Sequence, residues 1–252
     1  MVYFVGAGPG AADLITLRGY RLLREADIIV YAGSLVNEEL LAERKEGCQV
    51  YNSAYMTLEE VLKVLIEGEK AGKLTVRLHT GDPCLYGAIK EQMDALKKQR
   101  IAYEVCPGVS SFCGAAAALK EEYTLPEVSQ TVIITRMAGR TKVPKKEALE
   151  LLASHEASMV IFLSTGLLPE VKERLLLGGY REDTPCAIVY KATWPEEKII
   201  RGELRELPEM AAKNGISKTA LIVVGDFLKS DYQLSKLYDK HFTTEFRQGI
   251  EE

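Results

Sequence analysis

Three short stretches carry residue types able to hold a small molecule largely through the backbone: Gly6-Ala7-Gly8-Pro9-Gly10, Thr80-Gly81-Asp82-Pro83 and Pro107-Gly108-Val109-Ser110-Ser111. Glycine lets main chain come close to a ligand, proline stiffens a turn, and a carboxylate or hydroxyl can accept from a ligand hydroxyl or cap a helix. None of the three contains Gly-Lys-Ser/Thr, which excludes a P-loop. Gly6-x-Gly8-x-x-Ala11 meets the loose dinucleotide fingerprint. Against that reading, Pro9 removes an amide that a pyrophosphate would need, and the next apolar run, Ile28-Ile29-Val30-Tyr31, ends in Ala32-Gly33 with no carboxylate for a ribose.

Each stretch follows an apolar run: Val2 to Val5, Leu74 to His79 and Ala102 to Val105. If these runs are parallel strands, their carboxyl ends share one edge of a sheet, where open α/β proteins bind ligands. The first half alternates strands at 2–5, 28–31, 48–51, 74–79 and 102–105 with helices at 16–25, near 37–45, at 57–71, near 86–99 and at 110–119, a pattern that predicts a mainly parallel sheet. The clearest helix start is the capping box Thr57-Leu58-Glu59-Glu60, followed by Val61, Leu62, Leu65 and Ile66 at helical spacing.

The run 120–130 breaks this rhythm and reads as a linker. It separates an N-terminal α/β domain, 1–119, from a second one at 131–228. In the second, Thr131 to Arg136, Met159 to Leu163, Ala187 to Tyr190 and Leu221 to Val224 read as strands, with helices near 145–154, 168–177 and 207–213. The fold class expected is therefore α/β, with two domains and a ligand cleft between them. The tail 229–252 mixes aromatic residues with charges and could be a docked helix or partly disordered.

With 252 residues, 47% of them hydrophobic, the chain has ample material for its cores. No apolar run is long enough to span a bilayer and the N-terminus lacks a signal pattern, so a cytoplasmic protein without a membrane partner is expected. A net charge of −4 disfavours gripping a nucleic-acid backbone. Cys48, Cys84, Cys106, Cys113 and Cys186 contain no C-x-x-C pair and read as reduced thiols. His79, His155 and His241 form no metal motif, so no metal is expected.

The series Val5-Gly-Ala-Gly-Pro-Gly-x-x-Asp-Leu-x-Thr16, Gly81-Asp-Pro-x-x-Tyr-Gly87 and Cys106-Pro-Gly-Val-Ser-Ser111, in this order and spacing, resembles the tetrapyrrole methylase family, to about Phe227. The resemblance implies two α/β domains, a homodimer, and S-adenosylmethionine in the cleft between the domains, leaving S-adenosylhomocysteine as product. Its cofactor positions fall by motif on Pro9, Thr80, Gly81, Asp82, Leu85, Ser110 and Ser111, with Leu163 at a position usually held by methionine and Ala192 at a small residue near the adenine. Tyr31-Ala32-Gly33-Ser34-Leu35-Val36 and Met56-Thr57-Leu58-Glu59-Glu60 are similar to the branch that methylates C11 of precorrin-4 or cobalt-precorrin-4 in cobalamin synthesis. The chain departs from relatives acting on uroporphyrinogen III, with Ala32 in place of an aspartate and Asn52-Ser53-Ala54 where a lysine is found, so their acid and base do not transfer and the catalytic group stays unknown.

A substrate with several carboxylates needs cations. The segment 135–146 supplies Arg136, Arg140, Lys142, Lys145 and Lys146 without an acidic residue. It reads either as a solvated basic loop or as the mouth of the substrate site, with Arg136, Arg140 and Lys142 as the candidate contacts. The alternatives left open are a family member with another tetrapyrrole, RNA or protein substrate, a non-catalytic S-adenosylmethionine-binding protein, and a nicotinamide oxidoreductase.

Overall fold

The computed structural model describes residues 1–229 and 232–250, so the tail expected at 229–252 lies partly outside the described residues. The chain divides into two compact units. One comprises residues 1–117 together with 191–197, the other residues 118–190 with 198–252.

The first unit is built on five strands, β1 (Val2–Gly6), β2 (Ile28–Tyr31), β3 (Gln49–Asn52), β4 (Thr75–His79) and β5 (Tyr103–Cys106), in the order β3-β2-β4-β1-β5. Every pairing is parallel. Such a sheet must be covered on both faces, and its central strands are apolar at successive positions. Phe4 and Val30 pack with Val61, Leu65 and Leu96 on one side, while Val5 and Ile29 pack with Leu23, Leu40 and Leu78 on the other. The helices between the strands are α1 (Leu17–Glu25), α2 (Glu39–Ala42), α3 (Leu58–Lys70), α4 (Lys90–Lys98) and α5 (Ser111–Leu119).

Helix α3 begins where the sequence places it: Thr57 Oγ1 accepts from the Glu60 amide, and the Glu60 carboxylate accepts from the Thr57 amide at 2.7 Å. Its buried Val61 and Leu65 each contribute about 1.5–3 kcal/mol by leaving water. Helix α4 starts later than the expected 86, because Tyr86 (φ 57°) and Ala88 (φ 49°) sit in the left-handed region that a helix cannot include.

The second unit carries β6 (Val132–Arg136), β7 (Ser158–Phe162), β8 (Pro185–Tyr190), β9 (Lys198–Glu203) and β10 (Ala220–Val224), in the order β6-β7-β10-β8-β9. Only β6 and β7 pair in parallel; the other three pairings are antiparallel. Helices α6 (Leu149–Ala153), α7 (Leu168–Leu177) and α8 (Leu207–Lys213) cover one face, where Met159, Ile161, Ile188, Ile222 and Val224 meet Val171, Leu175 and Leu207. Strand β9 is absent from the sequence expectation. It is an edge strand whose Lys198, Ile199 and Arg201 face water, so its composition hides its pairing. Among the described residues no helix is long and apolar enough to cross a membrane.

Candidate functional site

Strand β1 lies between β4 and β5, so the three turns that leave their carboxyl ends come from adjacent strands. The turns touch. Gly8 and Gly81 exchange backbone hydrogen bonds, Gly81 N donating to Gly8 O at 2.8 Å, and Ala7 N donates to His79 O at 2.7 Å. A Cβ on Gly6 would stand 2.5 Å from the Gly81 oxygen and 2.6 Å from Gly108 Cα, so glycine is the residue this contact allows.

Asp82 ties the second turn to the third. One carboxylate oxygen accepts from its own turn at Cys84 N (2.8 Å), and the other accepts from Gly108 N (2.9 Å). It caps no helix, since α4 begins only at Lys90. Thr16 fixes the first turn to the third: its hydroxyl caps α1 at Gly19 N and donates to Pro107 O at 3.4 Å. Pro9 is buried, its ring against α5 at Gly114, where a Cβ would lie 2.7 Å from Pro9 Cβ.

Ala192 joins this group although it lies far along the chain. The segment 191–197 between β8 and β9 packs within the first unit, where the Ala192 carbonyl and the Trp194 ring meet Gly10. Ala11 N donates to Thr193 Oγ1 at 3.0 Å, and Asn37 Nδ2 donates to Gly10 O at 3.1 Å. Motif matching gives no role to Thr16, Asn37 or Thr193, which shape the turns through hydrogen bonds. Thr16 closes the first motif and Thr193 follows Ala192, whereas no sequence signal marks Asn37.

The structure thus brings Pro9, Gly81, Asp82, Ser110 and Ala192 onto one edge of the first unit. Ser110 is buried, with Ser111 beside it facing Gly81. Thr80 and Leu85 are half-buried in the same second turn. Leu163 belongs to the second unit, just after β7, 68% exposed and left-handed at φ 53°. Arg136 is already engaged: its guanidinium donates to the carbonyls of Met137, Thr141 and Lys142 (2.8–3.4 Å), and so braces the basic loop. Arg140 and Lys142 are exposed on that loop.

The electrostatics of the edge are unusual for a nucleotide site. None of the three turns carries Lys or Arg, and Asp82 accepts from the amides of Cys84 and Gly108. Burial and the neighbouring Asp82 raise the Cys84 thiol, keeping it protonated and a poor nucleophile. On β4, His79 is buried with its Nε2 unpartnered, and burial together with Arg77 lowers its pKa to about 3, so it is neutral. Burial lowers Arg77 to about 10. It is held by Gln92 Oε1 and Val30 O. Three turns with many amides, one carboxylate that ties two of them together and no Lys or Arg fit a nucleoside without phosphates better than a nucleotide.

The model of the tetrapyrrole (corrin/porphyrin) methylases matches residues 1–208. The chain belongs to that family. The cobalt-precorrin-4 C(11)-methyltransferase of Methanocaldococcus jannaschii is 55% identical over 98% of this chain and 96% of its own. An X-ray structure of a cobalt precorrin-4 methyltransferase of cobalamin biosynthesis superposes with a TM-score of 0.89 at 46% identity, covering 90% of this chain and 95% of that one. A uroporphyrin-III C-methyl transferase from Thermus thermophilus, complexed with S-adenyl homocysteine, is similar with a TM-score of 0.75 at 27% identity, over 90% of this chain and 93% of that one. The two-sheet α/β architecture of this chain is thus a tetrapyrrole methylase fold.

Proposed function

We propose that the protein transfers a methyl group from S-adenosylmethionine to C11 of precorrin-4 or cobalt-precorrin-4 in cobalamin synthesis, giving the corresponding precorrin-5. The observation that carries this reading is the cation-free meeting of Gly6, Gly81 and Gly108 at the carboxyl edge of β4, β1 and β5, in a chain 55% identical to an enzyme named for that reaction.

The bound sulfonium would supply an electrophilic methyl carbon with a neutral thioether as leaving group. The chain's task is then to hold donor and acceptor in line and to exclude water. Gly81, Asp82, Leu85, Ser110 and Ser111 would hold the nucleoside together with Thr80, Pro9 and Ala192, and Leu163 is added by motif alone. Asp82 would also tie the second turn to the third, since its oxygens accept from Cys84 N and Gly108 N. Arg140 and Lys142 would meet carboxylates of the tetrapyrrole, with Arg136 shaping their loop through its carbonyl contacts. No side chain is assigned as acid or base: the conjugated substrate carbon is electron-rich, and positioning is the main contribution. On the same family grounds the protein is read as a cytoplasmic homodimer.

The test is turnover with methyl-labelled S-adenosylmethionine and cobalt-precorrin-4 or precorrin-4. The reading expects a product heavier by one methylene unit with the label on C11, and label on another carbon, or none transferred, would refute it.

A further inference from the structure

The segment Lys191–Glu197 leaves β8 and returns as β9, yet it packs within the first unit against the first glycine turn. Its backbone is strained there. Lys191 (φ 47°) and Thr193 (φ 68°) both occupy the left-handed region, and a β-branched residue such as threonine is among the least suited to it. Residues held in this way persist only where their surroundings over-determine them, and they cluster at ligand clamps.

What over-determines Thr193 is visible. Its amide donates to the Glu197 carboxylate at 2.6 Å, and its hydroxyl accepts from Ala11 N at 3.0 Å. The Lys191 ammonium lies 5.1 Å from the Trp194 ring centroid and 3.4 Å from Glu196. The Trp194 ring in turn abuts Gly10 so closely that no Cβ could be added there. The hydroxyl of Thr193 thus satisfies an amide in the turn Gly8-Pro9-Gly10-Ala11, where an unmet donor would otherwise pull the turn toward other partners.

We propose that Lys191–Glu197 is a latch on the first turn and that Thr193 is a positioning residue. By holding the Ala11 amide it fixes the turn in the shape that binds the nucleoside, without touching the reacting atoms. This rests on the cofactor reading above. Thr193→Val keeps the branched shape and the backbone strain but removes the acceptor, while Thr193→Ser keeps the acceptor.

The latch predicts that Thr193→Val weakens S-adenosylhomocysteine binding about tenfold, the loss of roughly one hydrogen bond. Thr193→Ser stays within about twofold, and kcat at saturating S-adenosylmethionine is unchanged in both while KM for it rises only in the valine variant. Thr193→Gly, which relieves the strain, should leave thermal stability equal or higher while still weakening binding. Wild-type affinity in Thr193→Val, or equal losses in the valine and serine variants, overturns the proposal.

Two readouts do not depend on the cofactor's identity. Amide exchange at Ala11, and the emission of Trp194, the single tryptophan of the chain, should both change in Thr193→Val and not in Thr193→Ser. Both responses in the variants, together with a wild-type protein that binds no S-adenosylhomocysteine, contradict the cofactor reading alone. Absence of both responses contradicts the latch.

Discussion

The first sheet ends in turns whose backbones touch one another, whereas the basic loop after β6 in the second is closed by a side chain on its own carbonyls. At the carboxyl edge of β4, β1 and β5, Gly6, Gly8, Gly81 and Gly108 meet through main chain, and Asp82 and Thr16 tie one turn to the next. The basic loop after β6 is closed by Arg136 on carbonyls of its own segment, leaving Arg140 and Lys142 in water. The contrast separates two ways of building a site. Parallel strands bring their carboxyl ends to one edge, so a cradle can be made of backbone; a mostly antiparallel sheet sends its connections to both edges, so no such run of adjacent backbone turns forms there.

The difference should show first in tolerance to small changes. Gly6→Ala drives a methyl into the Gly81 carbonyl and Gly108 Cα, and is expected to cost about 3 kcal/mol or more. Asp82→Ala frees two amides and should cost about 1–3 kcal/mol. Both should lower S-adenosylhomocysteine affinity, as read by denaturant unfolding and calorimetry on the same samples. If Gly6→Ala is as stable as the wild type, the turns do not touch as described.

Next comes a pH effect confined to the first unit. The unfolded chain protonates His79 near its ordinary pKa of about 6.5, while burial beside Arg77 holds the folded imidazole neutral down to about 3. Stability from this group is complete above about pH 6.5 and falls by about 1.4 kcal/mol per pH unit as acid is added below about pH 6. The fall in melting temperature from pH 7 to pH 5 should be larger for the wild type than for His79→Gln, and equal falls would remove His79 from this account. The smallest effect is expected in the second unit. Arg140→Ala with Lys142→Ala should change stability by less than about 0.5 kcal/mol yet raise KM for the tetrapyrrole several-fold, the more so at low salt. Unchanged KM would mark the loop as merely solvated.

How much of this was legible in the sequence depends on how local the cause is. The parallel strands and the three turns follow from short apolar runs ending in glycine and proline, and Thr57 with Glu60 announces α3 by a contact three residues apart. The delayed start of α4 was hidden, because left-handed Tyr86 and Ala88 are ordinary in composition. Strand β9 escaped because an edge strand with one wet face lacks a clear apolar run. The roles of Asp82 and Thr193 were beyond reach for another reason: their partners, Gly108 and Ala11, are 26 and 182 residues away. A motif reports which residues gather near a ligand, but not which touch it and which hold the others in place.

The central claim is that the three turns together form the cofactor cradle. Amide hydrogen exchange measured with and without S-adenosylhomocysteine tests it most directly. Slowed exchange concentrated at 6–11, 80–85 and 108–112 is the predicted result; slowing confined to other segments, with these three unchanged, would contradict it.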